Sequence, residues 1–384
     1  MQYDLIVRNA TLIDPAQGIN GRRDVAFAGG TVAAVEDDLS AATAHQIIDA
    51  AGLYLTPGLI DVHVHVFPDV SHYGIEPDPT CLARGATTVV DAGSSGHDTF
   101  PAFRKYVIEV SETRIVAMVN ISCQGMISES VGEFALPEYA NVDLACKSIE
   151  ANRDLIIGVK VRLTKDAIVW KSAGMTPLHR AREAADAAGL PIMVHPQAAW
   201  CDSLDDILAV MKKDDILTHC FHGMACGILD EAGRVRESVH AALDRGVIFD
   251  VGHGAGSFSW PVVESAMEQG VLAQTISSDL HIYNVNGPVY DLVNVMSKFL
   301  HLGLSLEDVI AKVTSTPAAT VLRDSRLGTL APGSIGDAVL LELRSGEFQL
   351  EDSAGEMRTG SQKLEPVTVI KAGRVYRQRA QPPE

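Results

Sequence analysis

Six residues whose side chains can ligate a cation or carry a proton stand in or at the ends of apolar segments: His63, His65, Lys160, His195, His219 and Asp279. Imidazole nitrogens and carboxylate oxygens are ligands of zinc and similar divalent ions. A protonated amine cannot ligate a cation, but burial lowers the pKa of a lysine, and the free amine can then combine with carbon dioxide to form a carbamate. The set therefore predicts a centre for two divalent ions, with zinc the expected metal and carboxylated Lys160 as a two-oxygen bridge.

Each of these residue types also has a simpler structural interpretation. A His-x-His pair on a strand is often structural, a lysine in an apolar strand can extend towards solvent, and a histidine at a strand end is commonly a hydrogen-bonded core residue. However, the six residues stand on five separate apolar segments of the chain. This distribution favours one shared active site over six independent structural roles.

Eight apolar, Val- and Ile-rich segments alternate with amphipathic ones over the middle of the chain. The predicted strands are 59–65, 88–92, 114–121, 156–163, 191–195, 216–221, 247–252 and 275–279, with helices such as 176–188 and 202–213 between them. Eight strands that are apolar on both faces and alternate strictly with helices indicate a (β/α)8 TIM barrel, an α/β fold. Because such a barrel places its chemistry at the carboxyl ends of the strands, this fold would bring the six residues together.

The two ends of the chain have short β segments and turns and no helical period. The predicted strands are 3–14, 24–28 and 31–35 near the amino terminus and 338–343 and 367–375 near the carboxyl terminus. We therefore predict a small, discontinuous β-sandwich domain built from residues 1–53 and 326–384. The barrel of residues 54–325 would be inserted between its two parts.

The charge balance limits the partners that this chain can have. It has 384 residues, with 31 Lys and Arg against 49 Asp and Glu, which gives a formal net charge of −18. Nucleic acids and anionic membranes both attract basic surfaces, so neither is an expected partner. There is no apolar run of about 20 residues for a membrane span and no signal-peptide pattern at the start. The six cysteines are scattered along the chain, so we expect reduced thiols and a cytoplasmic protein. The expected partner is a small molecule. A homo-oligomer could form through the exposed helices.

Two motifs make the chain resemble the amidohydrolase superfamily, in particular its binuclear branch with a carboxylated lysine. They are LTPGLIDVHVH at residues 55–65 and GTLAPGSIGDA at residues 328–338. The metal ligands that this resemblance implies are His63 and His65 for the more buried ion, His195 and His219 for the more exposed ion, and Lys160 as the bridge. The resemblance also implies that Asp279 is both a ligand and a proton shuttle.

Three further segments, 215–223, 277–281 and 284–292, resemble a dihydroorotase-like amidohydrolase/deacetylase subgroup. Some members of this subgroup remove acetyl from acetylated α-hydroxy acids such as acetyl-(R)-mandelate. The resemblance implies a metal-dependent hydrolase that cleaves the acyl ester or amide of a small carboxylated substrate, either an acetylated α-hydroxy acid or an N-acetyl amino acid. A hydroxide bridging the two ions would attack the carbonyl, and Asp279 would carry its proton to the leaving group.

Two other functions remain open on the sequence. The nearest alternative is the opening of a cyclic amide or imide, as dihydroorotases and hydantoinases do. The other is a barrel that has lost catalysis and serves as a binding or assembly protein. The presence of all six ligand residues argues against this last function.

Several residues near the same strand ends are candidates for contacting the substrate, namely Arg162, His222, His253, His281, Tyr283 and Asn286. Arg162 shares a strand face with Lys160, so its guanidinium either clamps a substrate carboxylate or pairs with a buried carboxylate of the protein. Among the histidines, His253 is the first candidate because its glycine-rich segment leaves room for a ligand. The expected surface or packing residues are His72, His97 and His301.

Overall fold

The structure, a computed structural model, describes residues 2–377. The strands within this range are β1 (Gln2–Asp14), β2 (Ile19–Ala28), β3 (Thr31–Glu36), β4 (Thr43–Asp49), β5 (Tyr54–Pro57), β6 (Leu59–Val64), β7 (Ala86–Asp91), β8 (Arg114–Asn120), β9 (Ile156–Arg162), β10 (Ile192–His195), β11 (Ile216–Leu217), β12 (Ile248–Phe249), β13 (Ala338–Glu351), β14 (Met357–Lys371) and β15 (Arg374–Val375). They form two separate sheets.

Both ends of the chain contribute to one sheet of eight strands. Its order is β15-β14-β13-β5-β1-β2-β3, and β4 pairs in parallel with β1. The two ends meet at β5, which is parallel to β1 and antiparallel to β13. This sheet therefore includes a strand that the sequence boundary at residue 54 assigned to the barrel. The discontinuous domain and its folding into a sandwich remain predictions.

The middle of the chain forms a curled parallel sheet of seven strands, which run from β6 to β12 in chain order. All seven correspond to predicted strands. The predicted eighth strand, 275–279, makes only isolated parallel pairs in the structure, Asp250 with Thr275 and Val64 with Leu280. The fold is therefore a mixed α/β fold with one curled parallel sheet and one largely antiparallel sheet.

The strands β11 and β12 are shorter than the segments 216–221 and 247–252 that the sequence predicts. Left-handed backbone interrupts the extended conformation, because φ is +59° at His219 and +46° at Gly252. A residue in this region cannot continue a strand. His219 consequently lies in the loop that follows β11.

Most of the helices lie between the strands of the parallel sheet or just after it. They are α1 (Pro77–Thr80), α2 (Phe100–Phe103), α3 (Val142–Ala151), α4 (Thr176–Ala188), α5 (Leu204–Leu208), α6 (Glu237–Asp244), α7 (Trp260–Glu268), α8 (Leu292–His301), α9 (Leu306–Val313) and α10 (Ser315–Pro317), with π-helical turns at Arg104–Ile108 and Ala318–Leu322 and 3-10 turns at Leu82–Arg84 and Pro137–Tyr139. Within the described residues, no helix has both the length and the apolar character needed to cross a membrane.

The helix α4 has the bounds that the sequence predicts. Pro177 stands in its first turn, and Gly189 adopts the left-handed conformation directly after its last residue. Both residues are typical of these positions, since proline lacks an N–H that the first turn does not use and glycine tolerates a positive φ. The helix α5 is shorter than the predicted 202–213, because the chain turns after Leu208 and the N–H of Lys212 donates to the Asp215 carboxylate.

Candidate metal centre

All six predicted ligand residues line one cavity of about 400 Å³. His63 is near the end of β6 with His65 just after it, Lys160 is in β9, His195 ends β10, His219 follows β11, and Asp279 is in the segment 275–280. The carboxyl ends of parallel strands meet at one edge of a sheet, so residues that are distant in sequence converge here. The volume is suitable for a small molecule.

The closest ligand set consists of His63, His65 and Asp279, whose ligand atoms all lie within 4.8 Å of one another. Asp279 Oδ1 is 3.3 Å from His63 Nε2 and 3.1 Å from His65 Nε2, yet this buried oxygen has no hydrogen-bond partner among the described residues. Burial, reinforced by the charge of Lys160, lowers the pKa of both imidazoles well below its ordinary value, so the rings are neutral. Two neutral imidazole nitrogens around an unpartnered carboxylate oxygen fit a divalent cation.

A chain of hydrogen bonds orients His63. Its Nδ1 lies 2.8 Å from Thr218 Oγ1, and the Thr218 hydroxyl donates to Asp250 at 2.8 Å. Since a hydroxyl has a single hydrogen, Thr218 accepts from His63, which places the imidazole proton on Nδ1 and leaves a lone pair on Nε2. The Asp250 carboxylate also accepts hydrogen bonds from Thr275 and Ser277, so this acceptor is itself held in place.

We expect Thr218→Val to weaken metal binding about 10- to 100-fold, as the loss of a group that orients a ligand usually does. Valine has nearly the same shape but cannot accept the proton of His63 Nδ1. Metal affinity is measured by competition with a chelator followed by elemental analysis. Thr329→Val is the matched control, because Thr329 is also buried and bonds to Asp14 in the other sheet. Equal losses in the two variants would contradict the prediction.

Two other histidines are oriented in a similar way. His65 Nδ1 lies 3.0 Å from Ser94 Oγ, and His219 Nδ1 lies 2.6 Å from the carbonyl oxygen of Gly252. A carbonyl oxygen only accepts, so the proton of His219 is on Nδ1 and its Nε2 is available as a ligand. Burial lowers the pKa of His219 to about 3, which keeps this ring neutral.

His195 lies beside these rings. Its ring centroid is 4.4 Å from that of His219, which is in turn 4.9 Å from that of His63. His195 Nε2 is 3.1 Å from the hydroxyl of Thr164, which leaves Nδ1 as the second ring nitrogen. Burial lowers the pKa of His195 well below its ordinary value. The four candidate ligand histidines are therefore all neutral.

Lys160 is fully buried, and its Nζ lies 3.3 Å from His63 Nε2 and 3.4 Å from Met193 Sδ. These are poor partners for a buried ammonium, which has three hydrogens to donate. Burial lowers the pKa of this amine to about 7, although the Asp279 charge opposes the shift. The side chain of Lys160 packs directly against the backbone of Gly93, where a Cβ would lie only 2.6 Å from Lys160 Cγ. A buried amine that is readily uncharged has the chemistry that carbamate formation requires.

The backbone of Asp279 has an unusual left-handed conformation, with φ of +50°. Its N–H donates to the carbonyl of His63 at 2.7 Å, and Asn284 Nδ2 donates to the Asp279 carbonyl at 2.7 Å. Gly254 leaves room for the carboxylate, because a Cβ there would collide with Asp279 Oδ2. A strained conformation that several contacts maintain is typical of a functional residue.

Comparison with known proteins agrees with this geometry, since a sequence model of the Amidohydrolase family matches residues 54–376. The chain belongs to the amidohydrolase family. A relative named deacetylase, from Enterococcus faecalis (strain ATCC 700802 / V583), is 34% identical over 380 residues, which cover 98% of this chain and 100% of the relative. A solved structure described as an adenine deaminase is 34% identical, has a TM-score of 0.90, and covers 98% of this chain and 100% of its own. A solved dihydroorotase is 30% identical, has a TM-score of 0.86, and covers 97% and 98%.

These similarities make the protein an enzyme that catalyses hydrolysis. The names of the three similar proteins differ in the bond that is broken and in the substrate. The metal-binding fold is shared by many activities, so the substrate has to be argued from the cavity of this amidohydrolase.

Three of the six candidate substrate residues of this amidohydrolase line the cavity, namely Arg162, His281 and Tyr283. Arg162 and His281 are buried, whereas Tyr283 is exposed at the opening. His281 Nδ1 accepts a hydrogen bond from the backbone N–H of Tyr283. Burial lowers the pKa of His281 to about 4, so its ring is a neutral wall of the cavity.

The other three candidates do not line this cavity. His222 Nδ1 accepts a hydrogen bond from the backbone of Met224, and Asn286 is exposed outside it. His253 is fully buried, lies 2.7 Å from Lys298 Nζ and stacks on Phe258 with ring centroids 4.5 Å apart. The glycine-rich segment after His253 does reach the cavity, through Ala255 and Gly256, whereas the Asp279 carboxylate occupies the space beside Gly254.

Sequence reasoning missed His72 and Tyr73, which lie in the loop after β6 and line the cavity. We expected His72 to be a surface or packing residue, but it lines the cavity, and its buried Nδ1 has no hydrogen-bond partner among the described residues. The Tyr73 ring lies 5.3 Å from that of His65, and its hydroxyl accepts a hydrogen bond from Arg162 at 3.3 Å. The only sequence signal for His72 and Tyr73 is that they follow a predicted parallel strand, because the loops after such strands supply site residues in this fold.

Proposed function

We propose that this amidohydrolase hydrolyses the acyl ester or amide bond of a small carboxylated substrate, such as an acetylated α-hydroxy acid or an N-acetyl amino acid. The observation that carries the proposal is the unpartnered Asp279 Oδ1 beside His63 and His65, in a cavity that Arg162 also lines. The first feature supports metal-assisted hydrolysis and the second a negatively charged substrate. The Enterococcus faecalis relative, which matches over its full length, is named a deacetylase.

We assign two divalent ions to the centre, with zinc the expected metal. Their ligands would be His63, His65, His195, His219, Asp279 and a carboxylated Lys160. When bound there, the ions would acidify a water molecule and polarise the carbonyl of the substrate. Four neutral imidazoles and one carboxylate leave most of the charge of two dications uncompensated, and a carbamate on Lys160 adds a further negative charge.

In the proposed (β/α)8 barrel, the segment 275–280 that contains Asp279 would close the parallel sheet. The N–H of Val251 donates to the carbonyl of Thr275, and the N–H of Asp279 donates to that of His63, so the segment 275–280 is bonded on both sides. From this position Asp279 accepts a proton from the attacking water and returns it to the departing oxygen or nitrogen. The surrounding histidines do not compete for this proton, because burial lowers their pKa values.

Of the two arrangements that the sequence leaves open for Arg162, the structure contains the pairing with a buried carboxylate of the protein. Its Nη1 lies 3.0 Å from Glu133 Oε1, and both side chains are buried. The two atoms are close but poorly aligned, so neither has a hydrogen-bond partner among the described residues. Because Arg162 also lines the cavity, we propose that its guanidinium binds a substrate carboxylate, which pairs with arginine through charged hydrogen bonds.

We expect Arg162→Met to raise KM for a carboxylated substrate about tenfold or more and to change kcat less, because the carboxylate is not the reacting group. The comparison is made by steady-state kinetics with the acid and with its methyl ester, which lacks the charge. The KM of the ester should hardly change. Arg162→Lys, which keeps the charge without the planar fork, should recover part of the affinity. Equal increases of KM for acid and ester would contradict the role.

A substrate panel tests the function itself. The purified, metal-loaded enzyme is assayed with acetyl-(R)-mandelate, N-acetyl amino acids of both configurations, dihydroorotate, hydantoin and adenine. We expect turnover of the acyl compounds. Turnover of the ring amides alone would reject deacylation in favour of the second candidate, cyclic amide hydrolysis, which the similarity to a dihydroorotase supports. Turnover of adenine alone would indicate deamination, and binding without turnover of any compound would indicate a non-catalytic protein.

The same proposal includes a small-molecule partner and excludes nucleic acids and membrane surfaces, on the basis of the net charge of −18. A cytoplasmic location and a homo-oligomeric state are also proposed. Light scattering on the purified protein tests the oligomeric state directly.

A further inference from the structure

Two cysteines outside the candidate metal centre lie close enough to react with each other. The Sγ atoms of Cys201 and Cys226 are 3.5 Å apart, and both residues are half-buried. Cys201 is in the loop after β10 and Cys226 is in the loop after β11. The spacing of the cysteines in the sequence does not indicate this pair, because its members are in different loops.

The loops with these cysteines also form part of the cavity wall. Gln197 is in the first loop and Met224 in the second, and both line the cavity. The loops touch through their backbones, since the N–H of Ala198 donates to the carbonyl of Ala225 at 3.0 Å. A covalent link between the two sulfurs would therefore change the relative position of two walls of the active-site cavity.

The conformation and surroundings of Cys226 favour use of its sulfur. Its φ is +63°, a region in which glycine is favoured and a side chain is strained. A thiol at such a position indicates a role that glycine cannot supply. A hydrogen bond from Cys201, together with the nearby charges of Lys165 and Arg236, lowers the pKa of Cys226 and makes it the better nucleophile of the pair.

We propose that Cys201 and Cys226 form an intramolecular disulfide that narrows the opening of the cavity, so that this pair is a redox-modification site beyond the hydrolytic function. The oxidant is a low-molecular-weight disulfide, RSSR. The Cys226 thiolate attacks one sulfur of RSSR, and RS⁻ leaves and takes up the proton that Cys226 lost. The Cys201 thiolate then attacks Cys226 Sγ and releases the second RSH. Two protein thiols are oxidised and one RSSR is reduced to two RSH.

The distance between the two sulfurs determines how far the loops must move when the disulfide forms. A disulfide bond is about 2.05 Å long, so the sulfurs, now 3.5 Å apart, must approach each other by about 1.5 Å. This movement draws the two loops together beyond the strand ends of His195 and His219. Displacements of this size in an active site are costly, and we expect kcat/KM to fall about threefold or more on oxidation. The metal ligands are on the strand ends or next to them, so the metal content should not change.

The test uses the reduced, metal-loaded enzyme incubated with oxidised glutathione. Alkylation followed by peptide mass mapping should find a cross-linked pair of peptides that contains Cys201 and Cys226 and has lost two hydrogen atoms. The fall in kcat/KM should be reversed by dithiothreitol. A narrowed opening should also slow the removal of metal by a chelator about threefold, a readout that needs no substrate.

Four variants make the test specific. Cys201→Ser and Cys226→Ser should keep the activity of the reduced enzyme and lose the response to oxidised glutathione. Cys123→Ser and Cys146→Ser replace the other two half-buried cysteines and should keep the response. A glutathione adduct without the cross-link overturns the proposal, and so does a cross-link that leaves both kcat/KM and the rate of metal removal unchanged. Failure of the proposed deacylase function is detected separately, in the substrate panel.

Discussion

Asp279→Asn should lower kcat about 10²- to 10⁴-fold, the usual contribution of a positioned acid–base group. Asparagine has the same size and keeps one oxygen, but it cannot accept a proton at neutral pH. The backbone contacts of Asp279 with His63 and Asn284 do not use its carboxylate, so the fold and part of the bound metal should remain. The rate is measured at saturating substrate and expressed per bound metal, which separates the loss of a proton carrier from the loss of a ligand.

Asp215→Asn is the matched control for this variant. Asp215 is also buried, and it lies just before β11, at the end of that strand away from the cavity. There its carboxylate accepts hydrogen bonds from Arg182. Its replacement should reduce stability and leave kcat unchanged, because its carboxylate contacts none of the cavity residues. An Asp279→Asn enzyme with an unaltered kcat per bound metal would exclude the proton-transfer role.

Lys160→Ala should lose most of the bound metal and nearly all activity, because it removes the proposed bridge. The shortened side chain leaves space beside His63 and Met193, where the amine now lies. Formate or acetate added to the variant should enter this space and restore part of both metal content and activity, since either acid offers the two oxygens of a carbamate. Ethylamine, which offers only the original amine, should restore neither. Metal content is measured by elemental analysis.

Lys298→Met is the control, because Lys298 is just as buried and burial also lowers its pKa to about 7. Its Nζ, however, donates to the carbonyls of Pro288 and Glu351 and lies next to His253 Nε2, three acceptors that satisfy an ammonium. We therefore expect this variant to lose stability and keep its metal. Near-normal metal content in Lys160→Ala without added acid would count against the carbamate.

The two lysines illustrate why burial alone does not identify a function. Both are fully buried on apolar elements, and the pKa of each is lowered to a similar value. The difference is in their partners, which are two carbonyl oxygens and an imidazole for Lys298 but only an imidazole and a thioether for Lys160. These partners come from segments that are distant in sequence, so the distinction depends on three-dimensional contacts.

Several strands could be predicted because their side chains are buried. The strands β6 and β7 are buried along their whole length, and the apolar runs in the sequence follow from that burial. The hairpin of β13 and β14 is longer than the predicted segments 338–343 and 367–375, because its outer part is largely exposed. Backbone pairing maintains these outer residues in strands, and their polar side chains carry no pattern that would indicate it.

The six candidate ligand residues could be named from the amino-acid order, and the structure brings all of them to one cavity. A parallel sheet with helical crossovers puts the carboxyl ends of all its strands at one edge, whatever the intervening loops contain. The family of the chain, confirmed by comparison, is indicated by the motifs at residues 55–65 and 328–338. Their hydrogen-bond partners, such as Thr218 and Asp250 for His63, could not be named, because a threonine after one strand and an aspartate after another have no sequence signature as a pair.

Three-dimensional packing selects which of the remaining polar residues reach the cavity. His72 and Tyr73 line the cavity, whereas His253 does not and lies in hydrogen-bond contact with Lys298. Strand ends follow the regular geometry of the sheet, so their positions can be inferred from periodicity. Loop positions depend on contacts between segments that are far apart in the chain, and a single sequence does not encode those contacts in any local pattern.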